Sequence, residues 1–268
     1  MSVKPPRPYY VPVANEEQVF KAAYRQGLSI VFKGPTGCGK TRFVEAMAHD
    51  LDRPLITVSC HDDLTSADLV GRFLLRGGDT EWVDGPLTRA VRDGAICYLD
   101  EVVEARQDTT VVLHPLADHR RQLPIERLGL TLDAAPGFCL VVSYNPGYQS
   151  VLKDLKDSTR QRMVAIDFGF PTPDVEEKIV VNEARIGHES AAELVRLGQA
   201  IRRLETGGLR EVASTRVLIA AGQLIAEGLS PRDAARAAIA GPLTDDSTVT
   251  RGLVEMIDAY LAEQSPTD

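Results

Sequence analysis

The chain has 268 residues, which is enough for a sizeable core and one or two domains. Its composition is that of a globular protein, with 44% hydrophobic and 25% charged residues, and its formal net charge of -8 argues against nucleic acid as the main partner. No apolar run approaches the length of a membrane span, so we expect no membrane partner either. The four cysteines form no C-x-x-C pair and the N-terminus lacks an apolar signal segment, so we expect reduced thiols and a cytoplasmic protein.

The first predicted elements surround a glycine-rich loop. After a helix with Asn15 as its predicted N-cap, an apolar strand at 29–33 and a helix at 41–51 flank the pattern G-x-x-x-x-G-K-[ST]. The loop reads Gly34-Pro35-Thr36-Gly37-Cys38-Gly39-Lys40-Thr41. A strand, a glycine loop and a helix present backbone N–H groups to phosphate, while Lys40 suits the β- and γ-phosphates and Thr41 suits Mg²⁺. This context disfavours a chance glycine-rich turn.

A hairpin is predicted after the second strand, at residues 71–84. The segment before it contains a strand at 55–60 and a short helix capped by Asp62 or Asp63. Two β-prone stretches then flank Gly77-Gly78-Asp79, which interrupts a plain alternation of strands and helices and therefore predicts an insertion. The sole tryptophan, Trp82, either packs locally under the hairpin or contacts a partner, and local packing is favoured.

A pair of carboxylates ends the next buried strand. A helix is predicted from Pro86 to about 93, and the apolar run 95–99 is followed by Asp100 and Glu101. Asp100 suits the binding of Mg²⁺ through water, and Glu101 can orient the water that attacks the γ-phosphate. The alternative is a strand that ends in solvent, which the upstream phosphate loop makes less favoured.

The rest of the first domain adds a second hairpin and two more strands. We expect a helix over 105–120, kinked near Pro115, and a hairpin over 121–135. A strand at 138–144 ends at Asn145, whose amide either contacts the γ-phosphate or forms an Asn-Pro turn. A polar helix at 153–162 precedes the fifth strand. Five strands that alternate with helices predict an α/β fold with a parallel sheet.

Two prolines, at 171 and 173, mark the predicted boundary between an α/β nucleotide-binding domain, 1–172, and a C-terminal helical domain, 173–268. Helices are expected in the second domain at 174–186, 190–204, 214–227, 231–240 and 248–263.

Three arginines near this boundary are candidates for the site. Arg160 and Arg162 either act as an arginine finger on a neighbouring subunit's γ-phosphate or end a solvated helix. Arg216 lies at the start of a helix, where a cation opposes the dipole, so it is either screened by solvent or faced by an anion such as a nucleotide phosphate.

The whole arrangement resembles the AAA+ P-loop ATPases. Within them, the two hairpins and the segments Leu69-Val70-Gly71-Arg72 and Asp84-Gly85-Pro86-Leu87 resemble the MoxR branch, and the phosphate loop resembles its CbbQ/NirQ/NorQ group, CbbQ most of all. By position, the resemblance implies that Lys40 and Thr41 belong to Walker A, Asp100 and Glu101 to Walker B, Asn145 to sensor 1 and Arg216 to sensor 2. The Asp-Arg-Phe that is common in the MoxR branch before the fifth strand is replaced here by Gln161-Arg162-Met163, so Arg162 matches the arginine finger by position and Arg160 competes with it.

The resemblance also implies an assembly and a function. It implies ATP and Mg²⁺ as cofactors, a hexameric ring with ATP between subunits, a partner with a von Willebrand factor A domain, and a C-terminal lid. The implied activity is ATP-driven remodelling of a client enzyme. Rubisco, freed from inhibitory sugar phosphates, is the first choice of client, and a nitric oxide or nitrite reductase system is the alternative.

Two other classes of function compete with this hypothesis. A P-loop phosphotransferase that acts on a small molecule is disfavoured by Glu101, by the hairpins and by arginines placed to act in trans. A GTP-dependent switch is disfavoured because the chain contains no Asn-Lys-x-Asp segment.

Overall fold

The computed structural model describes residues 6–146, 157–204 and 212–263. The chain divides into two compact units. The first contains the described parts of 1–8, 14–35 and 40–168, and the second those of 9–13, 36–39 and 169–268. The tip of the glycine-rich loop therefore belongs to the second unit, and its two ends belong to the first.

A five-stranded parallel sheet forms the centre of the first unit, as the sequence predicts. Its strands, in chain order, are β1 (Ser29–Lys33), β2 (Leu55–Ser59), β5 (Ile96–Asp100), β8 (Cys139–Tyr144) and β9 (Met163–Asp167). They lie in the order β2-β5-β8-β1-β9. Every residue of β8 is buried, as expected for a central strand covered on both faces. The strands β5, β8 and β1 are thus adjacent, and their carboxyl ends share one edge of the sheet.

The two predicted hairpins are confirmed as separate two-stranded sheets. The first joins β3 (Gly71–Arg76) to β4 (Asp79–Asp84), and the second joins β6 (Gln122–Ile125) to β7 (Leu130–Asp133). Trp82 packs edge-on against Phe73 with ring centroids 5.2 Å apart, and its Nε1 donates to Asp84 Oδ1 at 2.7 Å. The tryptophan therefore packs locally within the hairpin. Leu75, in contrast, is 77% exposed.

In the first unit, one helix precedes β1 and the others lie in the connections between strands. They are α1 (Glu16–Arg25), α2 (Lys40–Asp50), α3 (Ser66–Val70), α4 (Pro86–Asp93), α5 (Gln107–Thr110), α6 (His114–Ala117) and α7 (Asp157–Arg160). Pro86 occupies the first turn of α4, as predicted. The first part of the predicted polar helix, 153–156, lies outside the described residues.

Three details of these helices differ from the prediction. Asn15 stands at the N-cap of α1 but makes no side-chain cap, and Glu16 Oε2 accepts the Ala14 N–H at 2.8 Å instead. The cap of α3 is Thr65 rather than Asp62 or Asp63, because Thr65 and the third residue after it form a capping box.

The predicted helix 105–120 is the third difference. It is broken into α5, a 3₁₀ turn at Val111–Leu113 and α6. Pro115 lies in the first turn of α6, where its missing N–H costs no helical hydrogen bond.

Aromatic side chains form the core between the sheet and the helices. Phe32 of β1 is fully buried and contacts Phe20, Phe43, Tyr98 and Phe168, with ring centroids from 5.1 to 6.2 Å apart. Tilted and edge-on pairs of this kind contribute about 0.5–1.5 kcal/mol each beyond their buried area. This packing fixes the strand that leads into the glycine-rich loop.

The described part of the second unit is helical, as predicted. Its helices are α8 (Pro173–Ala184), α9 (His188–Arg203), α10 (Thr215–Ala226), α11 (Pro231–Ala235), α12 (Gly241–Leu243) and α13 (Ser247–Tyr260). Ser230 caps α11 by accepting the Asp233 N–H at 3.2 Å, and Pro231 follows at the first position. The sequence predicts a single α-helix over 231–240, but its second half, Arg236–Ala240, is a π-helical segment.

A buried ion pair ties three parts of this helical unit together. Glu176 of α8 is fully buried and accepts from both terminal nitrogens of Arg202 at 2.6 and 2.8 Å. It also accepts from the Thr215 hydroxyl at 2.6 Å. Arg202 donates its remaining Nε–H to the Ala213 carbonyl at 2.6 Å and lies 4.0 Å over the Phe170 ring. Every charge in this cluster therefore has a partner of opposite sign and supporting hydrogen bonds.

Within residues 6–146, 157–204 and 212–263, no helix combines the length and the apolar character that crossing a bilayer would need.

Candidate nucleotide site

Parallel strand ends bring the predicted site residues of the first unit together. The loop leaves β1 at Gly34, Asn145 follows β8, and Asp100 and Glu101 end β5. In register, Lys33 lies beside Tyr144 and Leu99 beside Val142, so the three strands end at nearly the same level. Ligands of open α/β sheets bind at such an edge.

Lys40 is the cation of this edge. The residue is 5% exposed, and its Nζ donates to the carbonyls of Gly34 at 2.7 Å and Pro35 at 3.1 Å. The same nitrogen lies 3.7 Å from Glu101 Oε1. Lys40 and Glu101 are thus already close together, and the ammonium is held by carbonyl oxygens that a phosphate can replace as acceptors.

Glu101 combines an unusual backbone with a perturbed carboxyl group. Burial raises the pKa of this carboxyl, the Lys40 charge opposes that rise, and the Asn145 N–H hydrogen bond opposes it further. A raised pKa brings a carboxylate closer to the basicity that general-base catalysis at neutral pH requires. Its backbone lies in the left-handed region, with φ 53° and ψ 50°. Such conformations cost of order 1–3 kcal/mol for a residue other than glycine and are concentrated at functional sites.

Two buried hydroxyls converge on one oxygen of Asp100. Ser143 Oγ donates to Asp100 Oδ1 at 2.5 Å, and Tyr98 Oη donates to the same atom at 2.7 Å. Ser143 Oγ also accepts the Glu101 N–H at 3.1 Å. Both hydroxyl-bearing residues are fully buried. The Asp100 carboxylate is therefore held in one orientation by groups on its own strand and on β8.

A magnesium ion fits the chemistry of these groups. Mg²⁺ is bound in nucleotide enzymes through one or two protein oxygens, with phosphates and water completing its shell. Among the described residues, no group of three or more His, Cys, Asp or Glu side chains could hold a metal by itself. Thr41 and Asp100 supply a hydroxyl and a carboxylate, so the donor set suits an ion that arrives with its nucleotide.

Two glycines of the loop are required by close approach. Gly34 has φ +155°, and a Cβ on it would lie 2.3 Å from the Phe168 carbonyl oxygen. Gly37 has φ +74°, and a Cβ on it would lie 2.6 Å from Ser214 Oγ and 3.5 Å from Arg216 Cβ. Within the second unit, the loop tip and the start of α10 are therefore neighbours, which puts the Arg216 backbone beside the glycine-rich loop.

The two candidate arginine fingers lie on and just after the short helix before β9. Arg160 is half-buried and ends α7. Arg162 lies in the turn after α7, is exposed, and its guanidinium donates to the Ser158 carbonyl. The buried Thr159, which precedes Arg160, hydrogen-bonds His114 Nε2 at 2.7 Å.

All four cysteines are buried and free, as the composition predicts. Burial raises the pKa of the Cys60 and Cys97 thiols to about 12, so these groups stay protonated. Cys38 lies inside the loop among its glycines.

Sequence reasoning missed two polar residues of the site, Tyr98 and Ser143. Each reads as part of an apolar β-strand, because its neighbours are hydrophobic. The available signal was the hydroxyl itself: a tyrosine two residues before Asp100 faces the same side of the strand, and a serine two residues before Asn145 stands beside it on the next strand.

Comparison with known proteins agrees with this geometry. The model of the AAA domain (dynein-related subfamily) matches residues 29–163, and that of the CbbQ/NirQ/NorQ C-terminal region matches residues 176–260. The sheet, the loop and the paired carboxylates define the chain as an ATPase of the AAA+ class. It belongs to the CbbQ/NirQ/NorQ family of MoxR-type AAA+ activators.

Individual relatives match over nearly their full length. The chain is 59% identical to the denitrification regulatory protein NirQ of Stutzerimonas stutzeri, over 94% of this chain and 92% of that protein. It is 57% identical to protein NorQ of Paracoccus denitrificans, over 94% and 93%, and 56% identical to protein CbbQ of Hydrogenophilus thermoluteolus, over 89% and 90%.

Solved structures share the fold at low identity. A RuvB mutant chain of Thermotoga maritima superposes with a TM-score of 0.55 at 15% identity, over 89% of this chain and 66% of that one. A chain from Cytophaga hutchinsonii superposes with a TM-score of 0.51 at 18% identity, over 95% and 92%. These similarities support the AAA+ fold.

Proposed function

We propose that this protein couples ATP hydrolysis to the remodelling of a client enzyme, which it thereby activates. The observation that carries the proposal is the 3.7 Å approach of Lys40 Nζ to the Glu101 carboxylate at the shared edge of β1, β5 and β8. A phosphate-binding cation and a carboxylate of raised pKa in one place suit hydrolysis by water rather than transfer to a second substrate.

Each site residue has a role in this proposal. Residues 34–41 hold the phosphates through backbone N–H groups, and Lys40 leaves its loop carbonyls for the β- and γ-phosphates. Thr41 and Asp100 would hold Mg²⁺, and the bound ion would neutralise charge on the phosphates. Glu101 orients the attacking water and accepts its proton, and the Asn145 amide contacts the water or the γ-phosphate.

The three candidate arginines have separate roles toward the nucleotide. Arg216 starts α10 beside the loop tip, so it is placed to sense a nucleotide bound there. Arg162, or Arg160 in its place, stabilises the transferring γ-phosphate of an adjacent chain in a hexameric ring. A von Willebrand factor A-domain protein is the proposed partner that links the ring to its client. The compartment is the cytoplasm.

Two client classes follow from the family. Rubisco, from which ATP turnover would release inhibitory sugar phosphates, is the client expected from the resemblance to CbbQ. A nitric oxide or nitrite reductase system is the alternative, since the relatives named denitrification regulatory protein and protein CbbQ match at similar identities, 59% and 56%.

The client experiment has two arms with one control. The purified chain, a von Willebrand factor A-domain partner and ATP are mixed with inhibited Rubisco in one arm and with inactive nitric oxide reductase in the other. Recovery of activity in one arm, lost with Glu101→Gln, identifies the client class. ATP hydrolysis with no recovery in either arm would contradict the proposed activation of these clients.

A small-molecule phosphotransferase predicts a different result in a simpler assay. It would consume ATP only when an acceptor is present. We expect steady release of inorganic phosphate from ATP, Mg²⁺ and this protein alone, and its absence would favour the transferase.

A further inference from the structure

A buried phenol supports the carboxylate that would handle Mg²⁺. Tyr98 lies on β5, two residues before Asp100, and is fully buried. Its Oη donates to Asp100 Oδ1 at 2.7 Å. The first support of the Asp100 carboxylate therefore comes from its own strand.

Ser143 completes the arrangement from the neighbouring strand. Its Oγ donates to the same Asp100 Oδ1 at 2.5 Å and accepts the Glu101 N–H at 3.1 Å. Of the hydrogen bonds that the described residues make to this carboxylate, both go to Oδ1. Two donors on one oxygen fix the plane of the carboxylate and leave Oδ2 as the oxygen for a water of the metal shell.

Packing alone does not require a hydroxyl at position 98 or 143, because an apolar residue would fill either position. A phenylalanine at 98 would keep the ring contact with Phe32, whose centroid lies 6.0 Å away, and an alanine at 143 would fit a fully buried strand. Burying a hydroxyl is favourable only when its hydrogen bonds are made. Here those bonds all end on residues of the candidate site, so the hydroxyls serve the site rather than the core.

We propose that Tyr98 and Ser143 are positioning residues for the metal step of ATP hydrolysis. Tyr98 and Ser143 both hold the Asp100 carboxylate through Oδ1, and Ser143 also holds the left-handed backbone of Glu101. The inference rests on the proposed role of Asp100 toward Mg²⁺, and the experiment below separates the two.

Their removal should weaken metal binding more than nucleotide binding. Loss of a group that orients a metal ligand lowers metal affinity by about 10- to 100-fold. We expect Tyr98→Phe to raise the dissociation constant of Mn²⁺, the probe ion, by roughly tenfold in the ADP-saturated full chain. The binding of a fluorescent ADP in EDTA should not change. Mn²⁺ is measured by the electron paramagnetic resonance signal of the free ion.

Ser143 allows a second, distinguishable test. Ser143→Ala removes the partner of the Glu101 N–H as well as a donor to Asp100, so we expect it to lower kcat at saturating Mg²⁺ in addition to weakening Mn²⁺ binding. Ser143→Thr keeps the hydroxyl and should restore both values. A loss of kcat that Ser143→Thr does not restore would contradict the assignment of the hydroxyl.

Thr88→Val serves as the matched control. Thr88 is fully buried, and its hydroxyl donates to the Val70 carbonyl at 2.6 Å, which is not a group of the candidate site. Loss of this hydrogen bond should lower the urea midpoint of unfolding and leave the Mn²⁺ dissociation constant unchanged. If Tyr98→Phe behaves in the same way as Thr88→Val, the positioning role is overturned.

Asp100→Asn separates this inference from the proposed function. If Asp100→Asn weakens Mn²⁺ binding and Tyr98→Phe does not, the inference fails and the role of Asp100 stands. If Asp100→Asn leaves Mn²⁺ binding unchanged, the proposed role of Asp100 fails and the inference falls with it.

Discussion

Two polar clusters, one in each unit of the chain, differ in how their charges are balanced. The cluster of the second unit pairs Glu176 with both terminal nitrogens of Arg202 and adds the Thr215 hydroxyl. The cluster of the first unit places Asp100 and Glu101 side by side with one ammonium at 3.7 Å. The Glu176 and Arg202 cluster of the second unit is closed, because its charges are balanced by its own members. The Asp100 and Glu101 cluster of the first unit is open, because it carries more negative than positive charge and would gain from a cation and a nucleotide. A cluster of charged side chains therefore indicates a binding site when its charge is not balanced within the fold.

The largest expected effect is the loss of stability when the closed cluster is broken. Glu176→Ala leaves the Arg202 guanidinium, 12% exposed, without its carboxylate. Removing one partner of a buried ion pair costs about 3–5 kcal/mol. Urea unfolding followed by far-ultraviolet circular dichroism measures this for the helical unit.

A neighbouring carboxylate supplies the control for this variant. Glu177 pairs with the exposed His188 at 2.9 Å, so Glu177→Ala should cost less than about 1 kcal/mol. An equal loss in the two variants would remove the distinction between a closed cluster and a surface pair.

The second effect concerns the open cluster and its cation. Lys40→Ala removes the ammonium that faces Glu101 and the loop carbonyls. Since hydrogen bonds to charged groups contribute about 1.5–3 kcal/mol, ATP affinity should fall by about 10- to 100-fold. Equilibrium titration with a fluorescent ATP analogue measures it, and an unchanged affinity would exclude Lys40 from phosphate binding.

The smallest loss of stability is expected at a surface cluster that also pairs an arginine with carboxylates. Arg7 donates to Asp50 at 2.8 and 3.2 Å and to Glu17 at 3.1 Å, all near the surface. Exposed pairs contribute roughly 0.2–1 kcal/mol, so Arg7→Gln should cost no more than that at pH 7.

The pH dependence of this small effect has a definite sign. The Arg7 hydrogen bond lowers the pKa of the Asp50 carboxyl. The stabilisation is therefore present above the ordinary pKa of an aspartate, about 3.9, and is lost as the pH falls through the lower folded-state value. The difference in unfolding free energy between Arg7→Gln and the parent should shrink toward zero in acid. A difference that grows in acid would contradict this.

The open cluster shows where prediction from sequence succeeds. The loop, Asp100 and Glu101 follow from local pattern, since a strand, a glycine loop and a helix need no long-range information. The parallel sheet follows from five apolar runs that alternate with predicted helices. Both hairpins follow from glycine-rich turns between β-prone segments.

Other features depend on contacts that the sequence does not display. Tyr98 and Ser143 read as ordinary strand residues because their neighbours in the chain are apolar, and the partners of Ser143 lie on another strand. The closed pair of Glu176 and Arg202 is separated by 26 positions and gives no spacing signal. The sequence predicts one helix over 105–120, and its break into short turns reflects tertiary packing around Leu113 and Leu116, both buried.

One variant tests most directly the claim that the open cluster is the catalytic one. Glu101→Gln keeps the size of the side chain and removes its basicity. We expect single-turnover ATP hydrolysis to slow by about 10²- to 10⁴-fold, as for the loss of a general base. ATP affinity should be retained, and the free energy of unfolding should stay within about 0.5 kcal/mol of the parent. A normal rate of hydrolysis, or a loss of stability as large as that of Glu176→Ala, would contradict the account.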